Sequence, residues 1–204
     1  MPYSHNWLKQ NSYYGKTQIK AKINEVEQTI TLDELFDQYC NTYISTIESD
    51  TELEAEDTLS EDGIEYVEDI EEIDFSNKNV YVLDGNGQYI KINRCLKHKR
   101  NNTEMFLIRV RSTNFKETKN EGTIGFEQIL IVTSDHQLIM KSGTRKKVSS
   151  IKIGDHLKGE SQSSYQDMVV VEIIEVDGEE YDDVYNISTN SGTFVNGYLT
   201  VVGY

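Results

Sequence analysis

The alternation of apolar and polar positions predicts that most of this chain forms short β-strands. Apolar side chains occupy every second position in Gln18–Ile23 and again in Met105–Ser112, which is the period of a strand with one buried face. The same reasoning predicts further strands at Thr29–Leu32, Val80–Asp84, Gln88–Asn93, Gly125–Thr133, Gln137–Met140, Lys146–Ser149, Val169–Val176, Val184–Ser188 and Gly192–Val202. About ten short strands with tight turns and hardly any helix indicate an all-β fold.

Local signals predict two turns and one short helix. Asn24–Glu25 separates the first two strands, and Gly85-Asn86-Gly87 predicts a hairpin because an Asn-Gly pair accepts positive φ. Thr31 and Glu34 have the spacing of a capping box, so a short helix is expected to begin directly after Thr31.

From Cys40 to Asp74 the periodicity fails and acidic residues dominate. The chain of 204 residues has a net charge of −15, and residues 47–74 hold 14 acidic residues with no Lys or Arg. We interpret the protein as a nearly neutral domain with an acidic surface insertion, whose part at 47–63 is mobile and removable. Residues 64–73 are expected to add a short strand or helix at the domain edge. The net charge argues against nonspecific binding to nucleic acid or anionic membranes.

Neither the cysteines nor the N-terminus points to a metal, a disulfide or a membrane. Cys40 and Cys95 are far apart and form no CxxC pattern, so we expect two reduced thiols, no zinc site and no cofactor. Residues 1–11 lack the apolar core of a signal peptide, and no run of 18 apolar residues exists. We therefore expect a cytoplasmic, monomeric protein.

Three stretches carry candidate chemistry, although each is weak when taken alone. Ser12 precedes Tyr13-Tyr14-Gly15, Thr133-Ser134-Asp135-His136 ends a predicted strand, and Thr193–Thr200 closes the chain. Taken alone, these stretches are interpreted as a turn serine, a loop histidine and a closing hairpin.

In this order, within an all-β chain, they resemble the Hint superfamily, which comprises inteins and the autoprocessing domains of hedgehog-type proteins. Family members open with a nucleophile, carry a Thr-x-x-His block and end in an Asn-Gly turn. Three further blocks support the resemblance. A basic stretch is present as Leu96-Lys97-His98-Lys99-Arg100, and an "IKxGD" element as Ile151-Lys152-Ile153-Gly154-Asp155. The late "VYDIxV…F…NG.L" element is matched by Val184-Tyr185-Asn186-Ile187-Ser188, Phe194, Asn196-Gly197 and Leu199.

The resemblance covers Ser12 to about Thr200 and implies a domain organisation. Residues 12–202 would form a compact, horseshoe-like Hint domain with one or two short helices, 1–11 an extein-like peptide and 203–204 a remnant. No segment long enough for a homing endonuclease lies between Asp155 and Val169, so the chain is similar to a mini-intein. The likeness is greatest to inteins in family B DNA polymerases, and the implied partners are the flanking host sequences (exteins) in cis.

The resemblance also implies a single-turnover autoprocessing reaction. The Ser12 hydroxyl would attack the Asn11 carbonyl in an N-to-O acyl shift, and His136 would protonate the departing nitrogen. Thr133 and nearby backbone N–H groups would polarise the amide and hold the oxyanion. Asp135 would either orient His136 or cap the turn.

Several residues depart from the family pattern. Lys16 stands where the family has Asp, and Val201-Val202 falls where it has His-Asn. The late catalytic His before Phe194 is also missing. We therefore predict N-terminal cleavage at most. The alternatives are an inactive Hint scaffold, an acidic β-domain that binds a basic partner through Ile47–Asp74, and a hedgehog-type sterol transfer suggested by Gly192-Thr193-Phe194-Val195.

Overall fold

The computed structural model describes residues 12–47, 70–100, 103–118, 122–160 and 167–203. Within these ranges the chain forms 17 strands and one α-helix. The helix α1 spans Leu32–Ile47, and two short 3-10 turns lie at Val148–Ser150 and Glu179–Tyr181. The strands are β1 Tyr13–Tyr14, β2 Gln18–Ile23, β3 Val26–Thr31, β4 Ile70–Asp74, β5 Val80–Leu83, β6 Tyr89–Lys99, β7 Met105–Ser112, β8 Lys116–Thr118, β9 Gly122–Ile124, β10 Glu127–Thr133, β11 Gln137–Ile139, β12 Arg145–Lys147, β13 His156–Lys158, β14 Asp167–Val176, β15 Asp183–Thr189, β16 Thr193–Asn196 and β17 Leu199–Val202.

Fifteen of these strands belong to one curled antiparallel sheet, which confirms the all-β prediction. The order is β12-β11-β17-β16-β2-β5-β6-β15-β1-β10-β7-β14-β13, with β3 added to β2 and β4 added to β6. The curl brings the two ends of this order together, because Met140, which follows β11, forms a bridge to Leu157 in β13. β8 and β9 make a separate hairpin.

Local sequence signals account for the β2–β3 hairpin and the start of α1. Asn24 and Glu25 both have positive φ, 49° and 69°, as a two-residue hairpin turn requires. The Thr31 N–H donates to Glu34 Oε2 at 3.1 Å, and the Glu34 N–H donates to Thr31 Oγ1 at 3.4 Å. This is the predicted capping box.

The helix is longer than the short one expected after Thr31. Apolar side chains at Leu32, Leu35 and Phe36 are buried against the sheet. The sequence prediction that periodicity fails from Cys40 was wrong, because the helical spacing continues at Tyr43, Ile44 and Ile47. α1 continues to Ile47. The helix therefore has the length of its apolar pattern, and it begins at a cap that favours nucleation.

The acidic insertion is described only at its two ends. Residues 48–69 lie outside the described residues, and so does the predicted removable part at 47–63 apart from Ile47. Within the predicted edge element the structure has the strand β4, which pairs with β6. Glu71 and Glu72 of β4 contact Lys97 and Arg94 of β6 at 3.5 and 3.2 Å, so part of the acidity is balanced by the chain itself.

The hydrophobic core lies inside the curl of the sheet and under α1. It includes the fully buried side chains of Phe36, Cys95, Ile187 and Phe194. Both cysteines are free thiols, and burial raises the pKa of the Cys95 thiol to about 12. Such a thiol stays protonated, which makes Cys95 a core residue and a poor nucleophile.

Candidate functional site

Ser12 lies at the entrance to β1, in the middle of the sheet. The next residue, Tyr13, pairs with Val132 of β10 on one side and with Tyr185 of β15 on the other. Ser12 and Tyr13 are both fully buried. The predicted nucleophile is therefore held between two strands and kept away from bulk water.

Two groups of Thr133, its backbone N–H and its side-chain hydroxyl, contact the backbone of Ser12. The Thr133 N–H donates to the Ser12 carbonyl oxygen at 3.1 Å, and the Ser12 N–H donates to Thr133 Oγ1 at 3.2 Å. The Thr133 hydroxyl thus holds the nitrogen of the Asn11–Ser12 peptide, which is the leaving atom of an acyl shift. Asn11 itself, with the carbonyl that the hydroxyl would attack, lies outside the described residues.

His136 lies one turn after Thr133 and packs against the residue that follows Ser12. The backbone N–H of His136 donates to the Thr133 carbonyl at 3.0 Å, and this hydrogen bond closes the turn after β10. The imidazole is fully buried, and its ring stands edge-on to the Tyr13 ring with 4.3 Å between centroids. Thr133 therefore contacts Ser12 itself, and His136 from the same turn contacts the adjacent Tyr13.

Asp135 belongs to the same turn. Asp135 Oδ1 is buried and accepts no hydrogen bond from the described residues. The turn itself is closed by a backbone hydrogen bond, and the role of Asp135 stays a prediction.

His98 is a site residue to which the sequence analysis assigned no role. Its Nε2 lies 2.8 Å from Ser12 Oγ, and its Nδ1 lies 2.8 Å from the carbonyl oxygen of Lys99. A carbonyl oxygen only accepts hydrogen bonds, so Nδ1 carries a proton. In the neutral imidazole Nε2 then has the free lone pair and accepts the hydrogen bond from the Ser12 hydroxyl.

The position of His98 was missed because β6 is longer than its pattern suggests. The predicted strand ends at Asn93, whereas β6 continues to Lys99. Cys95 and Leu96 are adjacent in sequence and both buried, so both faces of β6 are covered at this point. A strand covered on both faces loses its period-two pattern. The available signal was the basic stretch at 96–100, which had been matched to the family without a role.

The charges around this stretch are largely compensated. Lys97 and Lys99 both contact Asp183 of β15, at 3.9 and 2.7 Å. Lys16, which departs from the family pattern, contacts Asp33 at 2.5 Å. Burial alone would raise the pKa of Asp33, but hydrogen bonds from Lys16 and Thr31 keep it below its usual value. Lys16 thus anchors the β1–β2 turn to the start of α1.

The end of the last strand adjoins the same region. Val201 and Val202 of β17 are buried, and the Val202 carbonyl accepts a hydrogen bond from the Tyr13 hydroxyl at 2.7 Å. Among the described residues, no group of three or more His, Cys, Asp or Glu side chains could hold a metal ion. In that same part of the chain, no helix is long and apolar enough to cross a membrane.

Comparison with solved structures identifies the architecture. An intein from a hyperthermophile matches with a TM-score of 0.63 and 17% identity, over 95% of this chain and 99% of its own. The transcription factor IIB Mvu mini-intein matches with a TM-score of 0.61 and 16% identity, over 94% and 99%. The PabCDC21-1 intein has a TM-score of 0.60 and 13% identity, over 95% and 99%. The chain has the intein fold.

No family model and no curated protein matches the chain. The intein fold accounts for the meeting of β1 with the end of β17, which brings the two ends of the domain together. The Pab PolII intein also matches, with a TM-score of 0.57 and 17% identity over 93% and 99%. A likeness at this identity shows the fold alone, so a DNA polymerase host stays a prediction.

Proposed function

We propose that this chain is an autoprocessing domain of the protein-splicing type, whose first step is an N-to-O acyl shift at Asn11–Ser12. The observation that supports this most is the 3.2 Å hydrogen bond from the Ser12 N–H to Thr133 Oγ1. It puts a side chain on the leaving nitrogen of the very peptide that the Ser12 hydroxyl would attack. His136, from the same turn, packs edge-on against the neighbouring Tyr13.

The proposed step forms one bond and breaks one. Ser12 Oγ bonds to the carbonyl carbon of Asn11, and the bond from that carbon to the Ser12 nitrogen breaks, which leaves an ester and a free amine. His136 is the group proposed to protonate the nitrogen, because an imidazole gives up a proton near neutral pH. The burial of Ser12 excludes water, which would otherwise hydrolyse the ester.

The same proposal holds that release at the far end of the domain does not occur. Cyclisation there needs the amide nitrogen of an Asn side chain. Near the positions where the family resemblance places that Asn, β17 carries Val201 and Val202, whose aliphatic side chains have no nucleophile and are buried. The reaction would therefore stop at the ester, and an added nucleophile would cleave it.

The proposed partners are the flanking host sequences in cis, acting once per chain as a monomer. An inactive scaffold with the same fold is the competing function, and the substitutions at Val201 and Val202 favour it. The contact of Thr133 with Ser12 and the contact of His136 with the adjacent Tyr13 favour the active function.

Hydroxylamine distinguishes the two functions because at neutral pH it cleaves esters far faster than amides, and cleavage at the ester has a product of its own, residues 1–11. The full chain, incubated with hydroxylamine at neutral pH, is expected to release residues 1–11 as a hydroxamate visible by mass spectrometry. Ser12→Ala should abolish the release, whereas Ser150→Ala, at an exposed serine of the 3-10 turn, should leave it unchanged. The absence of this fragment from the unmodified chain would establish the inactive scaffold.

A further inference from the structure

We propose that His98 is the general base that removes the proton of Ser12 Oγ. This inference rests on the proposed function, because it assigns a residue to the acyl shift. Its support is independent of the family resemblance and comes from the geometry around the Ser12 hydroxyl.

The hydrogen-bond geometry gives His98 the state that a base requires. Ser12 Oγ and His98 Nε2 are 2.8 Å apart, which is within reach for direct proton transfer. The Lys99 carbonyl, 2.8 Å from Nδ1, fixes the proton on the far nitrogen of the neutral ring. Nucleophile, base and orienting group thus follow one another in a line, as in other sites with an activated hydroxyl.

The fold also holds the imidazole firmly in place. His98 is buried, and it pairs with Val184 of β15 on one side and Ile70 of β4 on the other. β15 is also the strand that pairs with β1. The base and the nucleophile are therefore carried by strands that share one neighbour, which fixes their separation without a mobile loop.

Two histidines would then divide the proton transfers. His98 accepts the Oγ proton as the bond to the Asn11 carbonyl carbon forms, and becomes an imidazolium. For the step to balance, His136 must carry a proton on both ring nitrogens beforehand, and it gives one of them to the Ser12 nitrogen as the C–N bond breaks. One proton is taken up and one is delivered, so the rearrangement needs no further reactant. Thr133 Oγ1 keeps the nitrogen in position through the N–H contact already described.

A purely structural role for His98 makes a different prediction, and replacement of the nucleophile separates the two. A thiol has a pKa of about 8.5 and is partly ionised at neutral pH, whereas a hydroxyl depends on a base. A general base is therefore needed far less in the Ser12→Cys chain. A histidine that only fills space should matter equally in both chains.

The experiment measures the hydroxylamine release rate of residues 1–11 from full-length chains. His98→Ala and His98→Gln are introduced into the Ser12 chain and into the Ser12→Cys chain. In the Ser12 chain both should slow release by about a hundredfold or more, as expected for loss of a general base. In the Ser12→Cys chain the loss should be less than about tenfold. His156→Gln, at an exposed histidine that contacts Asp167, serves as the matched control and should change neither rate.

Each outcome decides a different question. Equal losses in both chains, or no loss in either, would overturn the role of His98 while leaving the acyl shift intact. No release from either parent chain would overturn the proposed function together with the role of His98.

An NMR measurement on the unmodified chain covers the case in which the His98 variants do not fold. The nitrogen shifts of the His98 ring should show a protonated Nδ1 and an unprotonated Nε2, and Ser12→Ala should move the Nε2 signal. A proton on Nε2 alone would overturn the proposal.

Discussion

The Tyr13 hydroxyl donates a 2.7 Å hydrogen bond to the backbone carbonyl of Val202, and so joins the first strand of the domain to the last. Both residues are fully buried. The Tyr13 ring also stands edge-on to Phe194, with 5.2 Å between centroids. Tyr13 is thus the residue through which the nucleophile's strand, the His136 turn and the final hairpin meet.

Removal of this hydroxyl should destabilise the domain without changing its shape. Tyr13→Phe leaves a buried carbonyl without its donor, which costs about 1–3 kcal/mol. Urea unfolding should show the loss as a lower midpoint with an unchanged slope. Tyr14→Phe is the matched control, because it deletes the hydroxyl of the next residue, which is only half-buried. Equal stability of the Tyr13 and Tyr14 variants would contradict the importance of the contact.

A second prediction concerns the close approach of Gly85 to Thr200. A Cβ at Gly85 would lie 2.2 Å from Thr200 Cγ2, and Thr200 is buried, so Gly85→Ala should cost about 1–3 kcal/mol through overpacking. Thr200→Ser removes this methyl group but keeps the hydroxyl that donates to the Gly159 carbonyl at 3.0 Å.

The double variant provides the control. Gly85→Ala combined with Thr200→Ser should be less destabilised than the sum of the two single variants, because the worst clash is gone. Additive losses in thermal or urea unfolding would show that the clash with Thr200 is not what makes glycine necessary at position 85.

The local signals in the sequence predicted those parts of the fold that local chemistry controls. β2 and β7 have the bounds that alternation predicts, and the Thr31–Glu34 capping box forms as its spacing suggests. The two-residue strand β1 was not predicted, because two residues carry no period. Its pairing depends on β10 and β15, which lie far away in sequence.

In the candidate site, too, the local contacts were predictable and the long-range contacts were not. The Thr-x-x-His spacing is local, and the turn it predicts does bring Thr133 to Ser12. The contact between Ser12 and His98 joins residues 86 positions apart. No periodicity could reveal it, since it depends on the order of three strands in the sheet.

A third prediction follows from the environment of Asp155. Burial alone would raise its pKa, but hydrogen bonds from Lys146 Nζ at 2.6 Å and the Lys152 N–H at 2.8 Å hold the pKa below its usual value. A lowered pKa in the folded state means that the ionised carboxylate stabilises the fold. This contribution is complete above the unfolded-state pKa of about 3.9 and is lost as the pH falls through the folded value.

Asp155→Asn tests this dependence. Its stability deficit, measured by urea unfolding, should be constant at neutral pH and should shrink as the pH falls below about 4. Asp37→Asn, at an exposed position of α1, controls for the loss of one negative charge. A deficit that stays the same at low pH would show that Asp155 acts through packing and not through its charge.

The last prediction concerns the hydroxyl of Thr133, which accepts the hydrogen bond of the leaving nitrogen at 3.2 Å. Thr133→Val keeps the shape of the side chain but removes this acceptor, while the backbone hydrogen bond from residue 133 to the Ser12 carbonyl persists. If the contact orients the nitrogen for departure, hydroxylamine release of residues 1–11 should slow by about tenfold, the value of one hydrogen bond. Thr133→Ser retains the hydroxyl and should release the fragment at nearly the original rate. If Val and Ser variants of similar thermal stability cleave equally fast, Thr133 supports the strand and takes no part in the reaction.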